Sequence, residues 1–217
     1  MRSSSERAAL AAAVRAALTA SCRGSRTLLL GSLATATDDA YSDIDLEWVV
    51  PDGEFERCVR AVRAVLDGVR AVAEVRADPD LLHSERRRLL FVRFADVPLF
   101  WRLDLSVRAA SVAGDPGYDL GNPRARARDD EWSRPASALA NAVGAVKELA
   151  RERPGVARGL LERGFARIGE EGTPVGAGGT VRVDDIVCLA RAAARREPGL
   201  GGLAEQVVAL AREQLLP

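Results

Sequence analysis

The stretch Leu28-Leu29-Leu30-Gly31-Ser32, followed after a spacer by Ser42-Asp43-Ile44-Asp45-Leu46-Glu47, decides how the chain is read. An apolar run closing on Gly-Ser is a strand entering a tight turn. The second part alternates acidic residues with Ile and Leu. Side chains i and i+2 of a strand share a face. Asp43 and Asp45 therefore project together, while Ile44 and Leu46 turn to a core. Two carboxylates that close repel each other unless a cation sits between them. Two divalent ions clamped by carboxylates, with substrate phosphates filling the shell, serve phosphoryl and nucleotidyl transfer. Backbone N–H groups at a Gly-Ser turn suit phosphate oxygens.

Working outward, residues 5–21 are Ala-rich with Leu10, Val14 and Leu18 at helical spacing. Arg26–Leu30 is a strand, Leu33–Thr37 a short helical turn, and Asp43–Val50 a second strand broken by Pro51-Asp52-Gly53. A helix over 54–67 carries Phe55, Val59, Val62 and Leu66 on one stripe, closed by Gly68. Val69–Arg76 is a third strand. Leu89–Ala95 and Leu99–Val107 form a hairpin through Asp96-Val97-Pro98. In the last strand Phe100, Arg102, Asp104 and Ser106 share one face.

Residues 113–134 are rich in Gly, Pro, Asp and Arg and read as a linker or lid. Strand patterns then stop. Helices are expected over 135–152, 156–168, 183–196 and 200–215. The fold class is α+β: a mixed-sheet domain with flanking helices over 1–112, the linker, then an all-α bundle over 135–217.

The central stretch resembles the signature of the polymerase-β-like nucleotidyltransferase superfamily: apolar strand, Gly-Ser, a spacer, then Asp-apolar-Asp-apolar. Here Gly31-Ser32 and Asp43-Ile44-Asp45-Leu46 stand ten residues apart. The family needs a third carboxylate on a later strand, and Trp101-Arg102-Leu103-Asp104-Leu105 offers Asp104. The resemblance covers roughly residues 20–110. Thr35-Ala36 stand where many small members carry Arg-Gly, which bears on one basic contact near the phosphates and not on the metal site.

The resemblance implies two Mg²⁺ ions on Asp43, Asp45 and Asp104, a nucleoside triphosphate with ATP as the expected donor, and NMP transfer to an acceptor hydroxyl. Gly31 and Ser32 would contact the phosphates. Asp104 would be the third ligand, the general base, or both; the plain alternative is an Asp paired with Arg102 or Arg93. Glu47 lies on the same face, to meet a cationic acceptor or solvent. Lys147, the chain's only lysine, lies where several members place a triphosphate-binding lysine; the alternative is a solvated helix face. Glu148 and Arg102 are further acceptor candidates. Compact size and one helical partner domain resemble antibiotic nucleotidyltransferases acting on aminoglycosides or lincosamides. A protein or tRNA acceptor, or an antitoxin-like non-catalytic partner, are the competing readings.

The bulk properties agree. The 217 residues carry no net charge and are 47% hydrophobic. Charge is balanced in both halves, which argues against a duplex-binding surface. Cys22, Cys58 and Cys188 are widely spaced without a CxxC, so a disulfide framework or zinc site is not expected; they read as small buried hydrophobes. His83, the only histidine, sits in a charged segment and reads as a surface residue. No run approaches the ~18 apolar residues of a membrane span. A cytoplasmic protein with no membrane partner is expected, its oligomeric state left open.

Overall fold

The computed structural model describes residues 4–173, 175–176 and 180–216. The chain divides into two compact units, Met1–Trp132 and Ser133–Pro217. The first contains helix α1 (Ser4–Ser21), strand β1 (Arg26–Leu29), the short helix α2 (Gly31–Thr35), β2 (Ile44–Val50), α3 (Phe55–Asp67), β3 (Val72–Ala77), β4 (Arg87–Phe94) and β5 (Leu103–Ala109). The strands form one five-stranded sheet in the order β1-β2-β5-β4-β3. It is mixed: β2 and β5 run parallel, and the other neighbours run antiparallel.

The alternation read from the sequence sets the two faces of this sheet. Ile44, Leu46 and Trp48 of β2, Leu103, Leu105 and Val107 of β5, and Leu90, Val92 and Phe94 of β4 are buried. Helices α1 and α3 pack together and cover this face, α1 lying against β1 and β2 and α3 against β3 and β5. Val14 and Leu18 of α1 are fully buried. On α3 the buried stripe is Phe55, Cys58, Val62 and Leu66, with Cys58 in the place expected for Val59. Each Leu or Val so buried is worth about 1.5–3 kcal/mol, so this apolar face holds the sheet. Truncating Leu46 or Leu105 to Ala would cost about 2–5 kcal/mol.

Two sequence expectations change here. Leu99–Arg102 is not strand: Pro98, with its fixed φ and no N–H, begins a turn closed by Trp101 N–H donating to the Pro98 carbonyl at 2.9 Å. Phe100 and Trp101 are both buried in this turn instead of alternating. Second, residues 113–127, read as part of a linker, are tied to the first unit. His83 N–H donates to Ala125 O at 2.8 Å and Ala127 N–H to Pro79 O at 2.7 Å. Arg87 Nη1 donates to Pro116 O at 2.8 Å and to Tyr118 O at 3.0 Å. The boundary between the units falls after Trp132.

In the second unit the described residues form α4 (Arg134–Ala150), α5 (Pro154–Arg167), α6 (Val183–Arg196) and α7 (Gly201–Leu215). Ser133 caps α4: its Oγ accepts from Ala136 N–H at 2.9 Å, with Pro135 in the first turn. Helix α4 packs on the other three. It buries Leu139, Ala142, Ala145 and Val146; Val143 and Ala150 are only half-buried. Alanines carry most of this interface, which lets the helices approach closely.

The cysteines divide. Cys22 and Cys58 are buried and free, whereas Cys188 on α6 is exposed, against expectation. Burial, followed by the contact with Cys22, pushes the Cys58 thiol up to about 12, which keeps it protonated and inert. Among the described residues no helix is long and apolar enough to cross a membrane.

Candidate active site

The open face of the sheet carries the acidic residues. In the parallel pair β2–β5, Asp45 stands directly opposite Asp104 and Glu47 opposite Ser106. Ile44 N–H donates to Arg102 O at 2.9 Å, carrying the pairing back beyond the strand ends. Neighbouring strands lie about 4.8 Å apart, so Asp45 and Asp104 form one cross-strand pair at the start of two parallel strands. Asp43 precedes β2 on the same face, and all three are partly exposed.

Gly31 completes this corner. Leu30 N–H donates to Asp45 O at 2.9 Å, which brings the β1–α2 turn alongside β2. Gly31 has φ +60°, and a Cβ built on it would lie 2.2 Å from Asp45 Oδ2. Only glycine both adopts that backbone and leaves room for the Asp45 carboxylate. Gly31 and Asp45, read from the sequence as parts of one signature, are thus in contact.

Arg102 takes the third carboxylate. Its Nε and Nη2 donate to Asp104 Oδ1 and Oδ2 at 2.5 and 2.7 Å, a two-pronged fork. Nη2 lies 4.0 Å from Asp43 Oδ2. The guanidinium carbon sits 4.8 Å from the Phe91 ring centre, and Arg76 stands at 5.3 Å from the same ring. Burial pulls the Arg102 pKa down; its hydrogen bonds to Asp104 and the charges of Asp104, Asp43 and Asp45 outweigh it and hold the pKa above its ordinary value. Arg102 is therefore a permanent cation inside the acidic corner.

Among the described residues no group of three or more His, Cys, Asp or Glu side chains is gathered as a metal-ligand set. Asp43 and Asp45 are hard oxygen donors of the kind Mg²⁺ takes, on one strand face beside the cradle at Gly31, and they fit such an ion. Asp104 is different: both of its oxygens are engaged by Arg102. The three-carboxylate ligand set expected from the sequence is present here as two carboxylates and an ion pair.

Arg7 is the residue the sequence reading missed. It is 1% exposed, inside α1. Nη1 donates to Ser42 O at 3.1 Å, the side chain pairs with Asp38, and its guanidinium lies 5.9 Å from the Trp101 ring centre. Asp39 Oδ1 accepts from Ser42 Oγ at 2.9 Å and from Tyr41 N–H at 3.0 Å. Tyr41 meets Phe100 edge-on at 5.4 Å. The segment leading into Asp43 is thus locked to the segment leading into Arg102. A signal existed: Arg7 lies two helical turns before Val14, on the buried stripe.

Glu47 is paired with an arginine. Its Oε2 lies 2.8 Å from Arg108 Nε, and both side chains are nearly buried. Arg108 Nη1 also donates to Asp115 O at 2.7 Å. Ser32 is half-exposed on α2. His83 is a surface residue in contact with Glu131, Nε2 to Oε2 at 2.6 Å.

Lys147 and Glu148 lie on α4, in the second unit. Glu148 pairs with Arg151 at 3.2 Å and Arg153 at 3.6 Å. The small residues of their stripe admit another helix: a Cβ on Gly144 would lie 3.3 Å from Leu160 Cδ1 of α5. Ser137 accepts a hydrogen bond from Arg167 of the same helix. The close approach that Gly144 permits is made by α5.

In comparisons with known proteins, no family model and no curated protein matches the chain. Among solved structures, the polymerase core of TRAMP, an RNA surveillance complex, is similar at 14% sequence identity, covering 98% of this chain and 58% of that one, with a TM-score of 0.37. The chain spans a little over half the length of that structure. A likeness so distant adds no weight to a functional reading, which rests on the site itself.

The corner offers anionic oxygens for a cation, a glycine turn without side-chain bulk, one permanent guanidinium and a carboxylate held in its fork. This equipment suits phosphate charge and a reacting hydroxyl brought side by side.

Proposed function

We propose that the protein is an Mg²⁺-dependent nucleotidyltransferase, moving an NMP from a nucleoside triphosphate, ATP being the expected donor, to a hydroxyl of a small-molecule acceptor. The observation that carries this reading is the in-register pair Asp45–Asp104 on parallel strands, with Asp43 beside it and Gly31 beneath Asp45. Ordinary sheet surfaces avoid like charges directly opposite each other; a site that receives a cation makes use of them.

Asp43 and Asp45 would hold the metal. When bound, Mg²⁺ supplies charge neutralisation at the phosphate oxygens. Ser32 donates its hydroxyl to a phosphate oxygen. The acceptor oxygen attacks the α-phosphorus, a new P–O bond forms, the bond to the bridging oxygen breaks, and pyrophosphate leaves. Asp104 receives the hydroxyl proton and passes it to solvent. Both its oxygens already accept from Arg102, so this requires the guanidinium to turn away, toward the developing negative charge. Arg7 touches none of the reacting groups and positions the two segments that carry Asp43 and Arg102.

The test is pyrophosphate release with Mg²⁺, the four nucleoside triphosphates and a panel of hydroxyl acceptors, beside calorimetric binding of a non-hydrolysable ATP analogue. Mg²⁺-dependent nucleotide binding with turnover on some acceptor is expected. Absence of nucleotide binding at millimolar Mg²⁺ would end the proposal.

A further inference from the structure

Leu28 and Leu30 are out of place for a sheet of this kind. Burial alternates along β1, and both leucines fall on its outward phase, 43% and 41% exposed. Leu28 stands opposite Glu47 in the register, and Leu30 N–H bonds to Asp45 O. Residues directly opposite in an antiparallel pair share a face. The two leucines therefore flank the acidic corner on the open face. A single exposed Leu carries no message. Two on alternate positions, abutting a proposed reaction centre, form a small apolar platform of the sort ligand sites use.

The charges around the platform narrow what can lie on it. Beyond Asp43 and Asp45, the acidic side chains that the described strands put on this face are Glu47, Glu74 and Asp104. Each pairs with an arginine: Arg108 at 2.8 Å, Arg93 at 3.6 Å and Arg102 at 2.5 Å. Once Asp43 and Asp45 serve the nucleotide's cation, the described strands offer an acceptor's ammonium groups on this face only carboxylates that already carry an arginine. A polycation would meet Arg102 and Arg108 at close range, and like charges there cost several kcal/mol.

We infer that the acceptor is an uncharged hydroxyl compound that lays an apolar face on Leu28 and Leu30, and that polyamino sugars are not substrates. This rests on the nucleotidyl-transfer reading and names its second substrate class.

The test uses the full chain with ¹³C-labelled leucine methyls, saturated with Mg²⁺ and a non-hydrolysable ATP analogue. Hexyl β-glucoside, an uncharged polyol with an apolar tail, and a polyamino sugar of similar size are titrated separately. The glucoside is expected to shift the Leu28 and Leu30 methyl signals saturably. Leu28→Ser with Leu30→Ser should weaken its binding about tenfold or more while leaving the nucleotide-induced shifts unchanged. Glucoside binding that ignores both leucines, no glucoside binding at all, or tighter binding of the polyamino sugar would overturn the inference. If the ATP analogue itself shifts no signal, the nucleotidyl-transfer reading fails first, and the two failures are told apart by that control spectrum.

Discussion

Two arginine–carboxylate pairs sit on the open face of the sheet, one joining β5 to β2 and one at the start of β5, and they serve different ends. Arg108 and Glu47 are 8% and 12% exposed, and Arg108 also holds the Asp115 carbonyl. That pair fastens the chain after β5 back onto the sheet. Arg102 and Asp104 are 31% and 17% exposed, and the guanidinium rests on an aromatic ring and reaches toward a second carboxylate. The first pair is closed by backbone contacts; the second is bounded by groups a substrate can replace. Charge pattern alone makes the two equivalent. What separates them is how much water each retains and whether the backbone takes part.

The largest expected effect breaks the acidic corner itself. Asp43→Asn with Asp45→Asn should lower turnover on the order of 10³-fold and abolish Mg²⁺-dependent nucleotide binding, read by calorimetry. Thermal stability of the metal-free protein should hold or rise, since two close like charges are removed. Unchanged Mg·ATP affinity would take the cation away from this corner.

Gly31→Ala comes next. The new Cβ meets Asp45 Oδ2 in a left-handed backbone, at a cost of about 1–2 kcal/mol for the conformation alone. Relief by moving Asp45 should cost about 10²-fold in turnover, the usual scale for misplacing a reacting group by an ångström. A variant with full activity would show that Asp45 works from another position.

The two arginines then test the contrast directly. Arg108→Ala should cost about 3–5 kcal/mol, the scale for breaking a nearly buried pair, and leave the activity of the folded fraction unchanged. Arg102→Ala should cost about 1 kcal/mol or less, being more exposed, yet lower turnover about tenfold because the developing negative charge loses its guanidinium. Denaturant midpoints and kcat on the same preparations read both quantities. If the two variants lose stability and turnover in equal proportion, the distinction between them is wrong.

Most of the acidic corner was legible in the sequence because a strand has period two. Once Ile44 and Leu46 are inside, Asp43 and Asp45 are outside, and no partner is needed to say so. The helical stripe at Gly144, Lys147 and Glu148 was not legible in the same way. A helix rich in Ala and Gly offers several faces to a close neighbour, and the sequence of α4 does not say that α5 takes the one beside Gly144. A pairing of Asp104 with Arg102 or Arg93 stood as the plain alternative, but the sequence did not choose between them, since two side chains at i and i+2 share a face whether or not they bond. Arg7 was hidden by a rule of thumb: an arginine in an Ala-rich run reads as an interruption, although its place on the Leu10–Val14–Leu18 stripe marks it for burial.

A third contact in the first unit fixes the bottom of the scale. His83 is 43% exposed and meets Glu131, which also accepts from the Arg128 backbone and side chain. The Arg128 N–H bond first, then the His83 contact, lower the Glu131 carboxyl from 4.5 to about 2. A carboxylate with a depressed folded-state pKa contributes stability above its unfolded value and loses that contribution as pH falls through the folded value. Stability should therefore drop between about pH 4.5 and pH 2, more steeply in the native protein than in Glu131→Gln. Above that window the two proteins should differ by a constant; below it they should converge. The effect should be the smallest of the series, because water and salt screen a contact whose His83 side is largely exposed, and added salt should shrink it further. A pH profile of the midpoint of urea unfolding reads it. If the Glu131→Gln difference instead matched the loss in Arg108→Ala, exposure would not be what ranks these pairs, and the distinction between a fastening arginine and a working one would have to rest on the backbone contacts of Arg108 alone.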